Sequence, residues 1–586
     1  MLDPRAWAIL ARIKVGKWSA GVAASQLAAV VKPGVPLKLY LNLLAAERRR
    51  ENHGGALAWA RKAAAEHPGE PLAALWWGQC ALGAQGFAEA EQAFRAGIEL
   101  QPEWWDLYNC LGLALQGLAR HGEAIRVFTK ANELKPAEPA PLIHLAEAFL
   151  EVNDVASSLA TARKLVELRP RDAAGHMLLA QALVGDNQSI EAEGEAALAV
   201  ELDPVDPVAL GSHGSTLLTL GKMAAADARS RAAVAIQPNL GIGYFNLVRS
   251  HRITESDRPL VDQMKAAAQE KDLGLGHRTL LGFALGKALE DLGEYKDAMG
   301  RYDEANRLDY LRKFGAQPFD MDLNLVGYER SRDLYPASLL AKANADSTPE
   351  PLPIFVFGMM RSGTTLLEQI LSSHSAVGAA GEQRFWLANR SAAFTPEASL
   401  DHGRLDALRA EYLESLRKIS PGMPMVVDKM PTNTMNVGLL QLAFPSAPLI
   451  HIRRDPIDTC LSIYATHNRV PIPWANSKEN IALNYRRYLD LMEYWRRVLP
   501  PGRMLDVQYE ELVEDPRPVI ERILDYCRLP WEDACLHHER NERAVVTPSL
   551  WQVRQPIYRT SVARWRRFEP WLGALAELHE TEPASR

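Results

Sequence analysis

The stretch IFVFGMMRSGTTLLEQILSSHSAVGAAGE (354–382) governs how the C-terminal half of the chain folds. Ile354 to Phe357 form a short β-prone run, Gly358 follows, and an apolar helical pattern begins at Thr365. Strand, glycine turn and helix in that order gather backbone N–H groups and the positive end of a helix around an anion. Gly358 and Gly363 have the spacing of the two glycines in a nucleoside-triphosphatase loop, but Thr364 stands where such a loop carries its Lys. Without that Lys, a β/γ-phosphate pair and its Mg²⁺ are poorly held. Arg361 sits inside the turn instead, with Ser362, Thr364 and Thr365 as hydroxyl donors. A planar guanidinium beside hydroxyls suits a tetrahedral anion that needs no metal.

Ahead of this turn the chain is periodic. Pro68, Pro102, Pro136, Pro170, Pro204 and Pro238 follow one another at a single constant interval. Small residues recur 24 positions before a proline (Gly78, Gly112, Ala146, Ala180, Gly214) and again 12 before it (Ala90, Ala124, Ser158, Ala192, Ala226). Helices cross closely only where side chains are small, and a terminal proline stops the second helix of each pair. The pattern resembles the tetratricopeptide repeat, whose period is about 34 residues. It weakens after Pro238 and returns in LGKALEDLGEYKDAMGRYDEANRLD (285–309), about four residues out of phase, with Gly286, Ala298, Tyr302 and Ala305 in the columns. Seven or eight helical hairpins are expected between 37 and 310. A stacked array of this kind leaves a concave face for an extended partner, or serves as a packing or dimerisation element. Trp76, Trp77, Trp104 and Trp105 either line that face or fill the core.

Composition narrows the function classes. The 66 Lys+Arg against 72 Asp+Glu give a net charge of −6, which offers no general footprint for nucleic acid. The five cysteines are odd in number and form no CxxC pair, so a disulfide scaffold is not expected and a reducing compartment is. No run of about 18 uncharged apolar residues occurs, so no helical membrane span is expected. The start, with Asp3 and a short apolar stretch before Arg12, does not read as a secretory signal. A cytoplasmic location is the expectation. Cys535, His537 and His538 lie near one another in sequence, but no fourth ligand is evident for zinc, and no metal is expected.

The run RSGTTLLEQILSSH (361–374) resembles the 5′-phosphosulfate loop of sulfotransferases that use 3′-phosphoadenosine 5′-phosphosulfate (PAPS). It is most similar to the tyrosylprotein branch and to bacterial tetratricopeptide-repeat sulfotransferases, over roughly residues 350–570. Four further pieces follow in the family's order: VVDKMPTN (426–433), PLIHIRRDPIDTCLSIYATHN (448–468), MLDVQYEELVEDP (504–516) and SLWQVRQPIYRTSVARW (549–565). The resemblance implies that Arg361, Ser362, Gly363, Thr364, Thr365 and Leu366 hold the 5′-phosphosulfate. It further implies that Arg454 and Ser462 hold the 3′-phosphate, that Tyr509 lies near the adenosine, and that Arg564 stands for a phosphate-binding Lys. Lys429 would touch the bridging oxygen of the leaving phosphate, and Ser549 would lie near the sulfuryl group. The family's base is a Glu in a Gly-Glu-Glu-x-Arg stretch. This chain reads Gly381-Glu382-Gln383-Arg384, and a gap of one assigns the role to Glu382, because Gln383 cannot usefully accept a proton. His467 and His374 are alternative bases.

The fold expected is an all-α tetratricopeptide-repeat solenoid followed by an α/β, P-loop-like sulfotransferase domain with a mostly parallel sheet. The boundaries are an N-terminal helical cap (1–36), the solenoid (37–310), a connecting segment (311–353) and the PAPS-dependent domain (354–586). The expected activity moves a sulfuryl group from PAPS to a hydroxyl of a protein or peptide tyrosine or a saccharide, with catalytic roles for Glu382, Lys429, Arg361 and Ser549. The repeats would recruit the protein, peptide or glycan acceptor; no nucleic acid is expected, and a homodimer is left open. The alternative is a repeat scaffold whose C-terminal domain binds nucleotide without turning it over.

Overall fold

A left-handed backbone residue punctuates the repeats at the sequence period. Gln85, Ala119, Asn153, Asn187 and Gly221 all have positive φ, each one full repeat after the last, and each lies in the turn inside a hairpin. Gly293, at φ +81°, does the same four residues out of phase, which places the register slip seen in the sequence. The computed structural model describes residues 36–50, 52–270, 273–341, 351–395, 399–541, 543 and 552–581. The expected cap at 1–36 therefore lies almost wholly outside the described residues.

Sixteen helices, from Leu37–Arg48 to Tyr295–Phe314, follow one another among the described residues as eight helix–turn–helix units. Their small columns are close-packed crossings. A Cβ built on Gly78 would lie 2.4 Å from the Phe94 ring, on Gly112 2.3 Å from Phe128, and on Gly286 2.4 Å from Tyr302. Ala90, Ala124, Ser158, Ala192 and Ala226 are buried, as the second small column requires. The seventh unit starts on the period, as the eighth does, but is built differently inside, its first helix packing on Leu275–Asp291. Its first helix, Gly241–Ser250, is short, and a Thr254–Asp257 capping box rebuilds the turn before helix Arg258–Ala267.

The chain forms two compact units, residues 1–182 with 312–315, and 183–311 with 316–586. Within the second unit the last repeats and the α/β domain share one apolar core, which runs through Tyr244, Leu285, Tyr302, Phe355, Leu461 and Trp565. The segment expected as a connection carries helices Met321–Leu334 and Ala337–Leu340, and Tyr335 is buried against Gly438.

The sheet consists of β1 (Leu352–Phe357), β2 (Val377–Gly381), β3 (Met425–Lys429), β4 (Leu449–Arg453) and β5 (Met504–Gln508) in the order β2-β3-β1-β4-β5. All four pairings are parallel. Strands covered on both faces read as continuous apolar runs, as in IFVF: Phe355 and Phe357 face the shared core, while Ile354 and Val356 face a second one with Leu367, Ile370 and Ile520. The chain leaves β1 for one side of the sheet and later reaches β4 on the other. Such a switch point opens a crevice beyond the strand ends.

Candidate functional site

The loop after β1 is forced into shape by its neighbours. A Cβ on Gly358 would lie 2.2 Å from the Ile452 carbonyl oxygen of β4, so no larger residue fits. Gly363 has φ +107° and lies beneath the Tyr509 ring. Between them Arg361 itself takes φ +70°, a conformation unfavourable for a side-chain-bearing residue and held here by the surrounding fold. Helix Thr364–Leu371 then begins at the loop, directing its first N–H groups toward the crevice. Ser362 is 1% exposed, and its hydroxyl has no hydrogen-bond partner among the described residues. A buried hydroxyl left unsatisfied at a helix start fits an anion that would complete it.

Three guanidiniums meet at this loop. Arg361 Nε donates to Ser462 Oγ at 3.2 Å, which joins the first loop to helix Pro456–Tyr464. Arg454 Nη1 donates to the Arg361 carbonyl at 3.4 Å and Nη2 to the Ser561 carbonyl at 2.5 Å. The Arg454 guanidinium lies 5.0 Å above the Tyr509 ring, and its Nε has no hydrogen-bond partner among the described residues. Tyr509 shares a 2.8 Å hydrogen bond with Ser561. Burial, with Arg454 and Arg564 adding like-charge repulsion, pushes the Arg361 guanidinium down to about 10. A cationic cluster under repulsion in a buried loop is complementary to a multiply charged anion.

Next to this cluster lies a lysine between two carboxylates. Lys429, at the end of β3, is 1% exposed and donates to Glu382 Oε1 at 2.5 Å. Glu368 Oε2 also stands 4.0 Å from its ammonium. Gln383 turns back to donate to the Ala380 carbonyl, so Glu382 is the acidic residue that reaches Lys429. Glu382 is 42% exposed at its side chain, open to an incoming molecule while its Lys partner is sealed. Glu368 is buried, accepts the Gly381 N–H at 3.1 Å, and pairs with Arg543 at 3.1 Å. None of the motifs picks out Glu368. Its one signal in the sequence is a carboxylate inside LLEQIL, in a short helix whose residues are buried apart from the half-buried Leu366.

Ser549 lies outside the described residues. His374 is committed to the Pro530 carbonyl and the Ala376 N–H. His467 is packed between Phe245 and Phe283 with Asp309 at 3.5 Å. Of the arginines in 554–567, Arg559, Arg566 and Arg567 are exposed, while Arg554 and Arg564 are engaged by the repeats. Arg554 donates to the Thr219 carbonyl at 3.2 Å, and Arg564 forms a two-pronged pair with Glu290 at 2.5 and 2.6 Å. Among the described residues no group of three His, Cys, Asp or Glu side chains gathers as a metal site.

Fold and site together define an α/β domain with a parallel sheet and a cluster of arginines at its strand ends, packed on the last helical repeats. Comparison with known proteins gives its family. Residues 353–533 match the sulfotransferase family and residues 116–182 the tetratricopeptide repeat, so the chain carries a sulfotransferase-family domain behind a tetratricopeptide-repeat array. An uncharacterized protein of Aquifex aeolicus (strain VF5) is 32% identical over 381 residues, 62% of this chain and 49% of that protein. The protein-tyrosine sulfotransferase of Drosophila melanogaster is 27% identical over 232 residues, 36% of this chain and 46% of that protein. Protein-tyrosine sulfotransferase 1 of Homo sapiens is 25% identical over 262 residues, 41% of this chain and 70% of that protein. The chain thus spans about half the length of the first two relatives. Among solved structures, a tetratricopeptide repeat protein from Parabacteroides merdae aligns with TM-score 0.36 at 16% identity, over 42% of this chain and 96% of that one.

Proposed function

We propose that the protein transfers a sulfuryl group from PAPS to a hydroxyl acceptor, a tyrosine phenol of a protein or peptide or a saccharide hydroxyl, recruited by the repeats. The observation that carries this reading is the cluster of Arg361, Arg454 and Arg564 beside the Lys429–Glu382 pair, on a loop with Thr364 where triphosphate chemistry has Lys. When bound, the donor supplies an activated sulfur–oxygen bond to a phosphate leaving group. The residues present fit it: Ser362, Thr364, Thr365, the N–H groups of 363–366 and Arg361 for the 5′ end, Arg454, Ser462 and Arg564 for the 3′-phosphate, and Tyr509 beside the adenosine.

Glu382 then takes the proton from the acceptor hydroxyl as that oxygen bonds to sulfur. Lys429 and Arg361 neutralise the charge that gathers on the departing phosphate oxygen as the sulfur–oxygen bond breaks. Fixed cations aimed at developing charge supply the larger share of such a rate enhancement, and alignment supplies much of the rest. The two partners of the Lys429–Glu382 pair thus serve opposite ends of one displacement. The protein-tyrosine sulfotransferase relatives support a phenolic acceptor. All five cysteines are unpaired and buried, in keeping with a reducing compartment such as the cytoplasm. No helix among the described residues is long and apolar enough to cross a membrane.

The test is label transfer by the full chain from ³⁵S-PAPS to pooled tyrosine peptides and glycans, set against phosphate transfer from ATP with Mg²⁺. Sulfate incorporation that is lost in Arg361→Ala is expected. Phosphate incorporation, or full activity in that variant, would overturn the reading.

A further inference from the structure

Glu290 belongs to the repeats, on helix Leu275–Asp291, yet its carboxylate reaches an arginine of the cationic cluster. It accepts Arg564 Nε at 2.5 Å and Nη2 at 2.6 Å, while Tyr302 of the next helix donates its hydroxyl to Oε2 at 3.0 Å. The Arg564 and Glu290 side chains are only 16% and 13% exposed. On the opposite side the chain at Arg564 is pinned by its neighbour, since the Trp565 N–H donates to Asp458 Oδ1 at 2.8 Å. Asp458 in turn lies 3.7 Å from Arg454. Arg564 is thus held from the repeats and from the α/β domain at once.

We propose that Glu290 and Tyr302 are positioning residues for the donor's 3′-phosphate, so that the last repeat hairpin completes the donor site. This rests on the sulfotransferase reading of the preceding section. A two-pronged carboxylate fixes both the plane and the rotation of a guanidinium. It engages two of the five Arg564 N–H groups and leaves three for an anion. Its negative charge also offsets the repulsion of three clustered guanidiniums before the donor arrives. Tyr302 fixes the carboxylate in turn, with its ring seated against Gly286.

Calorimetry on the full chain tests this with two probes, 3′-phosphoadenosine 5′-phosphate and adenosine 5′-phosphate, which differ only in the 3′-phosphate. The unaltered protein is expected to prefer the bisphosphate. Glu290→Gln is expected to weaken bisphosphate binding roughly 10- to 100-fold, the span of a charge-assisted hydrogen bond, with adenosine 5′-phosphate binding held within about twofold. Tyr302→Phe keeps the ring packing and removes only the hydroxyl, so it remains informative if Glu290→Gln fails to fold. It is expected to lower the preference about threefold, only part of what one hydrogen bond contributes, because its hydroxyl acts on the phosphate solely through Glu290 and Arg564. An unchanged preference in Tyr302→Phe, or equal weakening of both probes in Glu290→Gln, would overturn the proposal and leave Glu290 a purely structural partner. Absence of any preference in the unaltered protein would instead overturn the donor reading itself.

Discussion

Lys429 is buried between Glu368 and Glu382, so its ammonium has a fixed place before any substrate arrives. Lys429→Met is expected to lower the single-turnover transfer rate about 10²–10³-fold, the usual cost of removing one preorganised charge from a transition state. Binding of desulfated donor is expected to change less than tenfold, and stopped-flow transfer beside calorimetry measures the split. Asp428, one residue earlier, carries a pH signature. Burial pushes its carboxyl up to about 7, with Glu368 adding to the rise, against the opposing Tyr412 hydrogen bond, Gln383 N–H and Lys429. An unfolded Asp titrates near ~3.9, so in between the folded protein holds a proton that the unfolded chain has released. Its contribution to stability is therefore full below about pH 4, falls as pH rises and levels off above about 7, at up to about 1.4 kcal/mol per pH unit. Asp428→Asn is expected to remove that slope, read from urea midpoints between about pH 5 and pH 8. Arg361, Lys429 and Glu382 were legible because loop chemistry ties them to short motifs. Glu368 and Asp428 were not, because only the fold brings the Glu368 carboxylate toward the lysine and buries the Asp428 carboxylate against Tyr412.

The repeats show how far a period can be read. Proline spacing and small columns located the hairpins, because close helix crossings demand small residues at fixed offsets. The left-handed turn residues share that period but not a residue type, being Gln85, Ala119, Asn153, Asn187 and Gly221 in turn, and so they were silent in the sequence. Ala119, at φ +56°, holds the conformation with neither a polar side chain nor glycine's freedom. A left-handed alanine costs roughly 1–2 kcal/mol, and glycine loses back roughly 0.5–1 kcal/mol in chain entropy. Ala119→Gly is therefore expected to stabilise the first unit by about 0.5–1 kcal/mol, seen as a higher urea midpoint at unchanged slope. The four-residue slip after Pro238 was visible as a loss of phase. Its cause is one extra turn of helix Leu275–Asp291, which starts in phase with Pro207 and Gly241 but runs 17 residues against 13 in Pro207–Thr219, a length that the columns do not encode.

The boundary expected near residue 310 follows the end of the repeat columns, whereas packing joins residues 183–311 to the α/β domain as one unit. Columns report contacts between one repeat and the next and are blind to partners far along the chain. Asn306 donates to the Tyr464 carbonyl at 2.8 Å and accepts from Asn476 at 3.1 Å. Asp303 accepts the Tyr464 hydroxyl at 2.6 Å and pairs with Lys478 at 2.8 Å. Glu290 holds Arg564. Cutting the chain back to residues 351–586 would strip these partners from Tyr464, Asn476, Lys478 and Arg564 and open the shared core beside Leu461 and Trp565. Each buried polar group so abandoned costs about 1–3 kcal/mol. Four such losses equal the whole stability of an ordinary domain, about 5–15 kcal/mol, before the exposed apolar surface is counted. The shortened chain is therefore expected to lose cooperative thermal unfolding and to bind no desulfated donor, measured by circular dichroism and calorimetry against the full chain. A shortened chain that melted sharply and bound with full affinity would mean that the repeats are a separable adaptor and not a wall of the domain.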